Sequence, residues 1–415
     1  MIEQKKYDLV VWGATGFTGQ LVCKYLASNY NINYYSDLRW AIAGRNHHKL
    51  ENIRADLIKK NNGKGNLPVL IGDSHKVESL VRITAQTKVV LTTVGPYLHY
   101  GETLVSACIT TGTHYCDITG EIPFIWNTIH KLHDSALKAK VKIVHSCGFD
   151  SIPSDLGCLF LQNHAIQSNG KPCTQVKLLV EKLKGGVSGG TVASMIAIIK
   201  RVKDKKIKKL LFNPFALYPE GTSPGPKQPW QKKTQWDKDM NCWTSPFIMA
   251  QFNSCIVRRS NALLNFKYNR DFLYEEVITL PNNKLAYFKG ELKRISFKLL
   301  AGLLYFPFTR SMLQITLLPK PGQGPSKDTR EKGFFRLKLV GKLDGEKIGA
   351  QVFCEKDPGY SGTAQMISEA ALCLAKDDLN LPKIYGILTP ASAMGTALID
   401  RLQNSGMNFS IVSVS

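Results

Sequence analysis

Along residues 1–152 two hydrophobic periods take turns. Short, continuous apolar runs recur at Leu9-Val10-Val11-Trp12, Trp40-Ala41-Ile42-Ala43, Leu67 to Ile71, Val89-Val90-Leu91, Tyr115-Cys116 and Ile143-Val144. Runs without polar alternation suit parallel strands covered on both faces. Between them, apolar residues fall three and four apart: Leu21, Val22, Tyr25 and Leu26; Leu50, Ile53, Leu57 and Ile58; then Val77 to Ala85, Glu102 to Thr110 and Trp126 to Ala139. That spacing predicts amphipathic helices. Strand and helix in strict alternation predict an α/β unit built on a doubly wound parallel sheet.

The pattern changes after Asp150. Pro153 or Ser154 starts a helix through Leu156, Leu159, Phe160 and Leu161. Gln175 to Lys182 alternates as a strand. The glycine cluster Gly185 to Thr191 precedes an apolar helix; it either closes over a ligand or simply turns the chain. Phe334 to Leu343 and Lys347 to Cys354 read as a hairpin around Asp344-Gly345, Gly362 to Ala375 and Thr389 to Gln403 as helices, and Asn408 to Val412 as a strand. The expected organisation is a nucleotide-binding domain over 1–152, a second, α+β domain over 153–375 and a C-terminal segment over 376–415. Pro219 to Pro229 and Pro321 to Ser326 are loops.

The first strand ends in Gly13-Ala14-Thr15-Gly16-Phe17-Thr18-Gly19, and a helix follows. Gly13 allows a tight turn, Gly16 lets the backbone approach a pyrophosphate, and Gly19 allows close helix–strand packing. The free N–H groups of the helix start favour an anion. This is a Rossmann-type dinucleotide fingerprint. The second strand ends at Arg45-Asn46, where an NAD site usually has an acid for the ribose 2′-hydroxyl. A guanidinium there holds a 2′-phosphate in a charge-assisted fork, so NADP (NADPH) is expected in preference to NAD. Asp73, ending the third strand, either accepts from the adenine amino group or caps the next helix. Val94, Gly95 and Pro96 end the fourth strand and should run beside the cofactor, with Tyr97, His99 and Tyr100 leading toward substrate. The next two strands end in acids, Asp117 with Glu121, and Asp150.

Composition narrows the class. The chain has 415 residues, 44% of them hydrophobic, and a formal charge of +22. The charge implies attraction to an anionic partner: nucleic acid, an acidic membrane surface or a phosphorylated ligand. Basic residues concentrate at Arg201 to Lys209, but no nucleic-acid motif accompanies them, so no specific nucleic acid is expected. Ile295 to Phe308 is apolar yet shorter than the ~18 residues of a membrane span. It is a core helix, an interfacial one flanked by Lys293, Arg294, Lys298 and Arg310, or part of a homodimer interface. Ten cysteines without a C-x-x-C pair, and no hydrophobic leader before the first strand, fit a cytoplasmic protein. All nine histidines lie at or before His164, without metal spacing, and no metal is expected.

Taken together, Gly13 to Gly19, Ala43-Gly44-Arg45, Val94 to Tyr97, Tyr115-Cys116-Asp117 with Gly120-Glu121, and above all Gly148-Phe149-Asp150-Ser151-Ile152-Pro153-Ser154-Asp155 resemble the saccharopine-dehydrogenase-like oxidoreductases. That group includes the bacterial trans-acting enoyl reductases and lipid-droplet-associated eukaryotic relatives. Gly189-Gly190-Thr191, Gly322-Gln323-Gly324-Pro325 and Leu388-Thr389-Pro390-Ala391 continue the resemblance. It implies a nicotinamide-binding first domain, an α+β second domain, and a C-terminal helix packing back on the first. No counterpart of the amino-dicarboxylate site of true saccharopine dehydrogenases is visible. No tyrosine is followed by a lysine four residues on, so the short-chain dehydrogenase pair is absent.

The expected function is reduction of a hydrophobic, lipid-linked carbonyl or enoyl substrate by hydride transfer from NADPH. Tyr97, Tyr115 and Asp117 are the candidate proton donors, by position. The alternative is a non-catalytic NADP(H)-binding adaptor of a membrane or protein.

Overall fold

The alternating pattern at the start of the chain builds one parallel sheet. In chain order come β1 (Tyr7–Trp12), α1 (Phe17–Tyr30), β2 (Trp40–Gly44), α2 (His47–Lys60), β3 (Val69–Ile71), α3 (Val77–Thr84), β4 (Thr87–Thr92), α4 (Tyr97–Thr110), β5 (His114–Asp117), α5 (Ile122–Lys138) and β6 (Lys142–Val144). Helix α6 (Ile152–Asn169) leads to a second unit of β7 (Gln175–Lys184), α7 (Gly189–Arg201), α8 (Lys205–Phe212), β8 (Gln235–Asp237), β9 (Cys242–Pro246), α9 (Ala250–Leu263) and β10 (Leu273–Leu280). It continues through α10 (Ala286–Tyr305), α11 (Pro307–Thr316), α12 (Lys327–Glu331), β11 (Phe334–Leu343) and β12 (Glu346–Cys354). The chain ends with α13 (Ser361–Lys376), β13 (Gly386–Leu388), α14 (Pro390–Asn404) and β14 (Asn408–Val412). This computed structural model describes residues 5–30, 37–186, 188–283, 285–320 and 322–414. Val187 of the glycine cluster and Pro321 of the loop before Ser326 lie outside them.

The first sheet has the order β13-β6-β5-β4-β1-β2-β3, and all its pairings are parallel. Every residue of β1 and β2 is buried, as their unbroken apolar runs predict. Strand order reverses between β1 and β4, which makes the carboxyl ends of those two strands the switch point. The second sheet, β14-β12-β11-β7-β10-β9-β8, is mixed: β7 and β10 run parallel, the remaining neighbours antiparallel. The architecture is thus a Rossmann-type α/β unit with a second α+β unit.

The last 55 residues serve both sheets. Ile387 pairs with Ile143, adding β13 to the first sheet, while β14 pairs with β12 in the second. Helix α13 is placed differently from the expectation for 153–375. It packs against α1, β1, β4 and β5 of the first unit. It is buried on every side from Gly362 to Ala375, and its enclosed polar side chains are bonded: Glu369 accepts from the Tyr25 and Tyr30 hydroxyls, and Gln365 donates to Ser405 O. Its Lys376 reaches Asp8 of β1 at 3.0 Å, where Lys88 (2.9 Å) and Arg39 also converge.

Helix α4 begins at Tyr97 rather than Glu102, so Tyr97, His99 and Tyr100 stand on its first turn. The reason is a tertiary cap. The Glu121 carboxylate accepts from the Tyr97 N–H (3.0 Å) and the Leu98 N–H (2.9 Å), two of the donors that a helix start leaves free. The apolar stretch from Ile295 falls in α10 and α11, which lie on the surface with most of their large side chains exposed. Among the described residues no helix is long and apolar enough to cross a membrane.

Candidate functional site

The glycine turn has the geometry its spacing predicts. Gly13 adopts φ +87°, and a Cβ there would stand 2.4 Å from Val94 Cγ2. A Cβ on Gly19 would meet Gly13 O at 2.1 Å, so α1 can sit this close only without a side chain. Gly16 differs. A Cβ there meets nothing nearer than Gly13 O at 3.3 Å, so its outer side is open. Among the described residues no acceptor takes the N–H of Thr15, Phe17, Thr18 or Gly19. A row of free donors at a helix start, beneath an open glycine, is an anion cradle.

Arg45 stands exposed just past β2, with no hydrogen bond or ion pair to a described residue. Its guanidinium is therefore free for a phosphate. Asn46 is engaged instead in capping α2, accepting the Lys49 N–H at 2.9 Å. Asp73 closes the turn before α3: its carboxylate accepts the His75 N–H (3.0 Å) and its carbonyl the Ser79 hydroxyl (3.1 Å). Asp73 does not cap α3, whose N-cap is Lys76 without a side-chain cap; its carboxylate is used in the turn before the helix.

Val94, Gly95 and Pro96 follow the end of β4 at the switch point, with Gly95 exposed. The second unit faces them. Ser194 of α7 donates to Glu121 Oε1 at 2.8 Å, joining the two units beside Gly95. Thr191 and Tyr360 share a hydrogen bond of 3.2 Å, and Tyr360 packs edge-on against Phe17. A Cβ on Gly324 would collide with the Phe17 ring, and the Gly189 N–H donates to Gln323 O at 3.0 Å. The glycine cluster and the 322–325 loop thus form a wall over the dinucleotide turn. Burial raises the Glu121 carboxyl, against the lowering effect of the Leu98, Ser194 and Tyr97 donors.

The three side chains expected to donate a proton lie deeper. Asp117 accepts four hydrogen bonds: from the Tyr115 hydroxyl (2.9 Å), His145 Nδ1 (2.7 Å), and the Thr119 and Ser146 N–H groups (both 3.0 Å). All of these residues are buried. This knot fastens the end of β5 to the end of β6, which gives Tyr115 and Asp117 a positioning role. The Tyr97 hydroxyl bonds to Thr92 O (3.2 Å) and accepts from the Ile118 N–H (3.4 Å), and the side chain is buried beneath Gly95. Burial, then the Asp117 charge, push both phenols well above their ordinary range.

A different acid stands just past the end of β6. Asp150, partly exposed in the turn after β6, has no hydrogen bond or ion pair with a described residue. Its carboxyl borders Gly120, where a Cβ would stand 3.5 Å from Oδ2, and burial pushes it up to about 7. The signal in the sequence was its place, an acid just beyond a strand end. What marks it out, the lack of a partner among the described residues, is a tertiary fact. Among the described residues no three His, Cys, Asp or Glu side chains are grouped to hold a metal.

The open Gly16 cradle and free Arg45 fit a phosphorylated dinucleotide, and similarity to known proteins agrees. Residues 9–144 match the model of the saccharopine dehydrogenase NADP binding domain. A relative from Mycobacterium tuberculosis is 36% identical over 416 residues, 97% of each chain. The trans-acting enoyl reductase of Mycobacterium leprae is 34% identical over 415 residues, 98% of this chain and 97% of that one. The apo saccharopine dehydrogenase (L-Glu forming) of Saccharomyces cerevisiae shares the fold at a TM-score of 0.51 and 12% identity, covering 98% of this chain and 99% of that one. The chain belongs to the trans-acting enoyl reductase family of saccharopine-dehydrogenase-like proteins and is an oxidoreductase that uses NADP(H).

Proposed function

We propose that this protein reduces the carbon–carbon double bond of a hydrophobic, lipid-linked enoyl substrate with NADPH, at an acidic membrane surface. The observation that carries the reading is Asp150: an elevated carboxyl just past the end of β6, beside Gly120, with no partner among the described residues. The enoyl class is taken from the relatives' names. Bound in the cleft, the nicotinamide would supply a hydride to the β-carbon of the conjugated double bond.

The chain's own residues supply the rest. The free N–H groups of Thr15, Phe17, Thr18 and Gly19 would hold the pyrophosphate, and Arg45 the 2′-phosphate. Ser194, bonded to Glu121, fixes α7 against the end of β4 and narrows the cleft that excludes water. Burial lifts the Asp150 carboxyl to about 7, so about half of the molecules keep its proton at neutral pH, and it would deliver that proton to the α-carbon as negative charge develops there. The Asp117 knot keeps the β5 and β6 ends in register, and with them Gly120 and Asp150.

The test is NADPH consumption by the purified protein with α,β-unsaturated thioesters of increasing chain length. The expected result is turnover that rises with chain length. NADPH binding without turnover on any of them would leave the adaptor reading.

A further inference from the structure

We propose that the exposed apolar faces of α10 and α11 are the surface by which this protein docks on an acidic lipid bilayer, beside the mouth of its cofactor cleft. This rests on the membrane-surface reading above and assigns that surface to named residues.

In α10, Phe288, Leu292, Ile295 and Leu299 recur at i, i+4, i+7 and i+11, which places them on one helix face. All four are exposed, Phe288 at 68%. Helix α11 repeats the pattern with Phe308, Met312 and Ile315, and Leu317 follows. Phe308 is 81% exposed, Ile315 78% and Leu317 74%. Two consecutive helices that turn large apolar side chains outward form a patch of the kind that marks an interaction site on a folded protein. The opposite side of α10 is occupied: Ala286, Gly290 and Leu304 are buried, and Leu304 packs with Val192 and Ile196 of α7. The outward face is therefore fixed by packing on the inward one.

Charge identifies the occupant. Residues 285–320 carry six basic residues against one acid, Glu291. Lys289, Lys293 and Lys298 are exposed on α10. Residues 200–209 add seven basic residues against one acid, Asp204, and are tied to the patch where Lys203 stands over the Tyr305 ring at 5.3 Å. An apolar face rimmed by lysine suits a helix lying in an anionic bilayer interface, its apolar side chains at the headgroup–acyl boundary. A second copy fits less well. A two-fold interface sets the patch against itself and brings its basic rims together.

Position links docking to the cleft. Helix α11 runs toward the 322–325 loop, whose Gln323 and Gly324 meet Gly189 and Phe17. α10 packs on α7, the wall that reaches Glu121. A substrate embedded in the bilayer would thus meet the cleft at the docked face.

The experiment is flotation of the full-length protein with phosphatidylcholine vesicles, with and without phosphatidylserine. The variants are Phe308→Ser/Ile315→Ser/Leu317→Ser and Lys205→Gln/Lys206→Gln/Lys208→Gln/Lys209→Gln. The unsubstituted protein should float with acidic vesicles and be released by salt. The apolar variant should lose about tenfold or more in partition at unchanged melting temperature and NADPH affinity, because the three side chains are exposed. The lysine variant should lose the preference for acidic over neutral vesicles. If the unsubstituted protein does not float at low salt, the membrane reading itself fails. If it floats and the apolar variant floats equally, the docking face is elsewhere. If the apolar substitutions instead dissociate a stable dimer, the patch is a protein interface and the proposal is overturned.

Discussion

Phe17 and Tyr360 meet edge to face with ring centroids 5.2 Å apart, joining the first residue of α1 to the turn before α13. The Arg330 guanidinium covers the Phe17 ring at 5.6 Å, and Gly324 lies against it. Phe17, whose N–H has no acceptor among the described residues, is thus held by the second unit. Phe17→Leu keeps apolar bulk and loses both ring interactions, each of about 1 kcal/mol. NADPH affinity should fall roughly five- to twentyfold by calorimetry. An unchanged affinity would mean that the wall over the turn has no part in binding.

Arg45 should decide between the two dinucleotides. Its guanidinium is free, and a charge-assisted fork to the 2′-phosphate is worth about 2 kcal/mol, or roughly thirtyfold. The protein should bind NADPH more tightly than NADH, and Arg45→Asp should erase or reverse that preference. Equal affinities of the unsubstituted protein for the two would remove Arg45 from the site.

Gly16 and Gly19 should respond differently to the same substitution. Gly16→Val places its side chain on the open outer side, so the fold should survive while NADPH binding falls by roughly a hundredfold or more. Gly19→Val must displace Gly13 O from 2.1 Å and should unfold the first unit. Circular dichroism with calorimetry separates the two. A folded Gly16→Val protein with normal NADPH affinity would place the phosphates elsewhere.

The knot around Asp117 should behave as structure. Asp117→Ala removes four hydrogen bonds from a buried carboxylate and should cost about 3–5 kcal/mol in urea unfolding. Tyr115→Phe loses one bond and should cost about 1–2 kcal/mol, with turnover retained. A Tyr115→Phe protein of full stability and no turnover would make the tyrosine the proton donor.

What was legible in the sequence was local. The turn from Gly13 to Gly19 and the buried runs of β1 and β2 depend on neighbours a few residues away, and they stand where their spacing puts them. The start of α4 was not legible, because its cap comes from Glu121, 23 and 24 residues further on. Nor was the strand Gly386–Leu388, whose three residues acquire meaning only beside β6. The apolar stretch from Ile295 was visible as a helix-forming pattern, but periodicity cannot say whether another element covers it. Asp150 was visible as an acid beyond a strand, and nothing local revealed that none of the described residues would pair with it.

Asp150 should set the pH dependence of the reductive reaction. Burial lifts its carboxyl from an ordinary value of 3.8 to about 7. A proton donor works only while protonated, so turnover should be flat on the acid side and fall about tenfold per unit as pH rises above that value. Asp150→Asn should lower the rate roughly a hundredfold, within the range for general acid catalysis, and abolish the slope; Asp150→Glu should restore part of both. Stability supplies an independent check with its own sign. The folded state holds this proton more tightly than the unfolded chain, so the contribution is complete below pH 3.8 and is lost as pH rises through about 7. Asp150→Asn should remove that component of the fall in melting temperature over the same window. A variant that keeps the unsubstituted rate and pH slope would exclude Asp150 as the acid and return the question to the Tyr97 hydroxyl beneath Gly95.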